Sequence, residues 1–101
     1  MVKRLIWSEK ARNDRKEILE YWIESTGSPK YSIQLRNEFK TIVKLLLNFP
    51  ELGIKLNNYD ARVFIKGDYK IFYDLKNINE ELSIEILHIW DTRRNPEELE
   101  L

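Results

Sequence analysis

The chain has 101 residues, room for one domain (1–101) rather than two. Basic and acidic residues number 17 each, so the net charge is zero and any nucleic-acid-gripping surface has to be a local patch. With no cysteine there is neither a disulfide framework nor a thiolate site, and the longest apolar run, residues 42–47, is broken by Lys44 and falls well short of the ~20 residues of a membrane span.

The opening "MVKRLIWSEKA" lacks the apolar core of a signal peptide, which favours a cytoplasmic protein with no membrane association. Residues 3–8, "KRLIWS", read as a short strand. Ser8 is a suitable N-cap for a helix reaching about Ser25. Ala11, Ile18 and Trp22 recur along it at helical spacing, and Leu19 and Ile23 broaden the stripe. Asp14, Glu17 and Glu20 read as its solvated face. Gly27 ends the helix, and Ser28 and Pro29 start a second one. Leu35, Phe39, Ile42, Leu46 and Phe49 follow at steps of four, three, four and three, the cleanest period in the chain. Pro50 and Gly53 stop it.

Everything after that reads as strand. "ARVFIKGDYKIFYDL" holds two runs around Gly67-Asp68, where glycine at the first central position suits a type II′ hairpin. Residues 76–80 form the next turn, and "ELSIEILHIWD" forms the last strand. The order is β-α-α-β-β-β. The fold class is therefore α+β: an N-terminal strand, an antiparallel helical hairpin, then a three-stranded antiparallel meander. The first strand is expected to join the sheet edge-on beside the hairpin, and the acidic end "EELEL" to be a short turn or a frayed terminus.

With helices on one face, a chain of this length has nothing left to cover the other. Tyr69, Ile71, Tyr73 and Leu75 read as core-facing. The opposite surface is expected to gather Arg62, Lys66 and Lys70, with Phe64 or Phe72 among them, a mixture suited to phosphates and bases. Solubility alone also accounts for lysines on an open sheet face. His88 alternates with Ile84 and Ile86, which implies a partly buried place. It is also the only side chain whose reference pKa lies near neutrality. Arg93 and Arg94 follow it in the tail, within reach of Asp91, Glu97 and Glu98. Residues 1–16 concentrate Lys3, Arg4, Lys10, Arg12, Arg15 and Lys16 against Glu9 and Asp14. One histidine and no cysteine argue against a zinc site. No glycine-rich phosphate loop or nucleophile elbow is present, so neither a metal nor a small-molecule cofactor is expected.

Four stretches in this order resemble the RelE/ParE superfamily of type II toxin–antitoxin toxins. "LIWSEKARNDRKEILEYW" is similar to its opening strand and first helix, and "FPELG" to its "P-x-x-G" connection. "RVFIKGDYKIFYDL" is similar to its "Y-R-I-x-Y" hairpin, and "IEILHIWDTRRNPEEL" to its last strand and tail. The resemblance implies an antitoxin partner and one of two activities. RelE-like members act with the ribosome as metal-independent mRNA endonucleases; ParE-like members inhibit DNA gyrase without catalysis. A degenerate, non-toxic relative is a third reading. For the endonuclease, the resemblance puts Lys70 in the place of the hairpin arginine, Arg62 at the basic position opening the preceding strand, and Arg93 or Arg94 at the tail arginine, all on the RNA phosphate. His88 is then the acid/base candidate, and Lys66 supports substrate binding.

Overall fold

Ser8 decides where the first strand becomes a helix. Its backbone is extended, its Oγ accepts the Ala11 N–H at 3.0 Å, and its own N–H and Oγ–H donate to the Ile86 and Leu87 carbonyls. Strand β1 (Val2–Trp7) ends there and helix α1 (Glu9–Thr26) begins. Gly27, at φ +68°, closes α1 by donating its N–H to the Ile23 carbonyl. Ser28 Oγ accepts the Lys30 N–H at 3.3 Å, and α2 (Lys30–Asn48) runs back antiparallel. The computed structural model describes residues 2–57 and 61–93, the side chains of Val2 and Lys3 excepted. The expectations for Arg94, Glu97, Glu98 and the acidic end lie outside the described residues.

Among the described residues, four strands follow α2: β2 (Ile54–Lys55), β3 (Ala61–Lys66), β4 (Tyr69–Ile78) and β5 (Glu81–Asp91). The fold is α+β, as the sequence indicates, with a mixed sheet of order β1-β5-β4-β3-β2. β1 does join at an edge, but its neighbour is β5, and that pair is parallel while the others are antiparallel. The two-residue β2 carries no periodic signal and was not expected. Gly67, at φ +58°, opens the β3–β4 turn as expected. The β4–β5 turn is shorter than expected. β4 runs on to Ile78, and only Asn79 and Glu80, at φ 52° and 67°, make the turn. Two positive φ values in a two-residue loop are the type I′ pattern.

Helices cover one face of the sheet. Ile18, Leu35, Phe39, Ile42 and Leu46 pack on Tyr69, Ile71, Tyr73, Ile84 and Ile86. Each such side chain contributes about 1.5–3 kcal/mol by burial, more than a typical hydrogen bond at about 1 kcal/mol, so this layer carries the fold. Two members of the expected stripes stay out of it: Ile23 is 42% exposed and Phe49 60%. Phe49 sits at the C-cap of α2, where the chain turns away.

The other face is not bare. Val63, Phe72 and Trp90 are buried there in a second cluster with Leu56 and Leu87 packed against it. Trp90 reaches that face through a β-bulge. Tyr73 pairs with Ile86, but the preceding Phe72 pairs with His88, so Leu87 is an extra residue in β5. The bulge inverts the alternation after Ile86. Ile89 stays with the helix-side core, while His88 and Trp90 turn to the opposite face.

Glutamate is a costly residue at positive φ, whereas glycine adopts it freely. Glu80→Gly is expected to stabilise the fold by about 0.5–1 kcal/mol, raising Tm by roughly 2–6 °C in a thermal melt.

Candidate functional site

Cross-strand pairing fixes which side chains share a surface. The two-residue turn sets Lys66 opposite Tyr69 and Arg62 opposite Tyr73, placing both cations on the helix-covered side. Lys70 lies opposite Ile65 on one neighbour and Trp90 on the other, on the far side. The expected single surface of Arg62, Lys66 and Lys70 is therefore split. The parity of an antiparallel pair puts directly opposed residues on one face.

Arg62 is held by the loop after α2. Its Nη1 donates to the Gly53 carbonyl at 2.9 Å and the Glu51 carbonyl at 3.2 Å. Beside it the fully buried Tyr73 receives the Gly53 N–H at 2.8 Å and donates its hydroxyl proton to the Pro50 carbonyl at 2.9 Å. The fit is close: a Cβ on Gly53 would lie 2.5 Å from the Tyr73 oxygen. The "P-x-x-G" connection and the second tyrosine of "Y-x-I-x-Y" thus form one structural lock. Lys66 flanks a shallow groove along α2 with Gln34, Asn37, Glu38, Thr41 and Ile42.

His88 sits where α1 crosses the end of the sheet. Its Nδ1 pairs with Asp14 Oδ2, which also accepts the Ile89 N–H at 3.1 Å. A carboxylate in that position places the imidazole proton on Nδ1. The ring lies 19° from parallel to Phe72 and is also flanked by Trp90. His88 is 3% exposed, and its Nε2 is buried with no hydrogen-bond partner among the described residues. Asp14, expected on the solvated face of α1, is 9% exposed instead. The helical period does place it on the buried face, three residues after Ala11 and four before Ile18; what the period does not show is its partner, the β5 edge far along the chain.

Arg93 stands at the other end of α1. Its Nε and Nη2 grip Asp91 at 2.8 and 2.7 Å, and its guanidinium lies 5.0 Å from the Trp22 ring centre. Nη2 also donates to the Tyr69 hydroxyl at 3.3 Å, which takes the Trp22 indole N–H at 3.0 Å. The hydrogen bond to Asp91 raises the Arg93 pKa further, so it stays a cation. With Ile18, Tyr21, Trp22 and Asp91 it lines a cleft of about 290 Å³. Among the described candidates, then, Arg62 and Arg93 are committed to neighbours, His88 is enclosed and Lys70 faces the other way. No group of metal-ligating side chains occurs among the described residues, and no described helix is long and apolar enough to cross a membrane.

The comparisons follow the same outline. A family model described as the ParE toxin of the type II toxin–antitoxin system parDE matches residues 5–96. A solved structure described as the chromosomal ParDE toxin–antitoxin system from P. aeruginosa superposes with a TM-score of 0.69. It shares 19% identity over 88% of this chain and 94% of that one, a likeness of fold. Among curated proteins none matches.

Burial raises the phenol pKa of both Tyr69 and Tyr73 above the ordinary 10.0, against smaller opposing effects of the Trp22 and Gly53 hydrogen bonds. The folded chain therefore holds these protons longer than the unfolded chain. Their contribution to stability is full below pH 10 and is lost as pH rises through the folded values. Denaturation midpoints followed against pH should fall on the alkaline side of that point. Tyr73→Phe should flatten part of that fall while costing about 1–3 kcal/mol at neutral pH, because the Gly53 N–H and Pro50 carbonyl lose their partner.

Proposed function

The chain belongs to the ParE toxin family of type II toxin–antitoxin systems, and we propose that it acts by binding DNA gyrase rather than by cutting RNA itself. A co-encoded antitoxin is its proposed protein partner.

The observation that carries this reading is the dispersal of the would-be catalytic groups. Cleavage of RNA through its 2′-hydroxyl needs a base at that hydroxyl, cations at the charged phosphorane and an acid at the leaving oxygen, all within hydrogen-bond reach of one phosphate. Here Lys70 and Arg62 lie on opposite faces of the sheet. Arg62 commits its Nη1 to Gly53 and Glu51, and Arg93 its Nε and Nη2 to Asp91. His88 Nε2 is sealed from solvent. A binding toxin needs no such convergence; it needs exposed surface, which this chain has in abundance.

The ribosome-dependent endonuclease expected from the sequence, with mRNA as its partner, is the competing reading, and two assays separate them. The purified chain should inhibit supercoiling by its host's gyrase. Induced in cells, it should arrest growth without new translation-dependent mRNA 5′ ends. Ends clustered at fixed codon positions would overturn the proposal. Absence of both arrest and gyrase inhibition would favour the non-toxic relative.

A further inference from the structure

Where β1 stops and α1 crosses the end of β5, the molecule holds an open cavity of about 440 Å³. Its walls are Glu9, Lys10, Asn13 and Glu17 of α1 and Trp90 of β5, and Asp14 and His88 line it as well. The four polar wall residues are exposed, whereas Asp14 and His88 are 9% and 3% exposed.

The buried pair leaves two acceptors without donors. His88 Nδ1 donates its proton to Asp14 Oδ2, so Nε2, at the far end of the ring, presents a lone pair that no described residue meets. Asp14 Oδ2 is taken by His88 and by the Ile89 N–H. Its other oxygen, Oδ1, has only Lys10 Nζ near it among the described residues, at 4.0 Å, beyond hydrogen-bond length. Buried acceptors of this kind cost stability until a donor reaches them.

The cavity is also acidic. Glu9 and Glu17 add their carboxylates to that of Asp14, and Lys10 is the one cation among the described residues that line it. A phosphodiester is repelled from such walls, so the cavity is no RNA site. A cation rich in N–H donors is attracted. Guanidinium suits it better than ammonium, because its planar fork serves two acceptors at once and its face stacks on an aromatic ring, here Trp90. Exposed side chains such as those of Glu9, Lys10 and Glu17 change rotamer within nanoseconds, so an entering N–H gains an approach to Nε2 that the standing geometry denies to water.

We propose that this cavity binds a small guanidinium compound, whose N–H groups donate to His88 Nε2 and Asp14 Oδ1 while its plane lies against Trp90. Lys10, with its ammonium already turned toward Oδ1, is a competitor built into the chain. The inference stands whichever target the toxin acts on.

His88 is the only histidine, so its ring nitrogens give a single, unambiguous set of NMR signals. The test titrates n-butylguanidinium into the full, isotopically labelled chain at neutral pH. Nε2 should begin as an unprotonated nitrogen and shift saturably toward the position of a hydrogen-bonded one. Lys10→Met should tighten binding about threefold or more, and Glu9→Gln should weaken it by a similar factor. The size-matched n-butylammonium should bind about tenfold more weakly. Lys55→Gln on β2 should bind as the parent chain does. The proposal fails if Nε2 carries a proton in the free chain, if the ring signals do not move, or if the Lys10 and Glu9 variants bind like the parent. Equal binding of the ammonium would reduce the site to a counter-ion atmosphere and overturn it too. So would a blocked arginyl tripeptide that binds more tightly than n-butylguanidinium, because the cavity would then take a protein side chain and not a small molecule.

Discussion

The fold depends on how the edge of β5 is sealed. β1 covers β5 only as far as Ile86, and the strand continues to Asp91. An exposed strand edge leaves amides and carbonyls without partners, a site for unwanted pairing. Here α1 takes over where β1 stops. Ser8 satisfies Ile86 and Leu87, and the Asp14 carboxylate takes the Ile89 N–H and the His88 ring. One capping serine and one buried acid thus fix the angle at which α1 leaves the sheet. They also set the position of Trp22 over Tyr69 and, through it, the cleft beside Arg93.

Much of this was legible in the sequence because it follows from local chemistry. Ser8, Gly27 and Gly67 mark boundaries through capping and positive φ, and the α2 stripe from Leu35 to Leu46 reports its buried face directly. The less legible parts are set by distant partners. β2 is two residues long and owes its extension to Val63 and Arg62 across the sheet. The bulge at Leu87 leaves no mark on an alternating run, yet it moves His88 from one face to the other. Asp14 shares the helical face of Ala11 and Ile18, but its partners, the Ile89 N–H and the His88 ring, become visible only once β5 is placed beside it. The split of Arg62 and Lys66 from Lys70 is different in kind. A two-residue turn makes positions 66 and 69 direct opposites, so the faces follow from counting.

The residues that carry the family resemblance serve the architecture more than any reaction. Tyr73, Gly53 and Pro50 close a loop, and Arg62 secures the same loop from the side. Arg93 completes a stacked ion pair with Asp91 over Trp22. Such a framework suits a scaffold whose outer surfaces vary while its interior is kept, and it explains how one fold accommodates unrelated modes of action.

The parallel pairing of β1 with β5 also orders events in time. Val2 meets Leu82 and Trp7 meets Ile86, so the first strand made has no partner until nearly the whole chain has been synthesised. The helical hairpin and the β3–β4 ribbon can assemble from neighbouring segments; the N-terminal strand and the Ser8 and Asp14 contacts cannot. Closure of the sheet therefore carries the largest loop-closure entropy in the fold, because it joins residues 2–7 to 82–86.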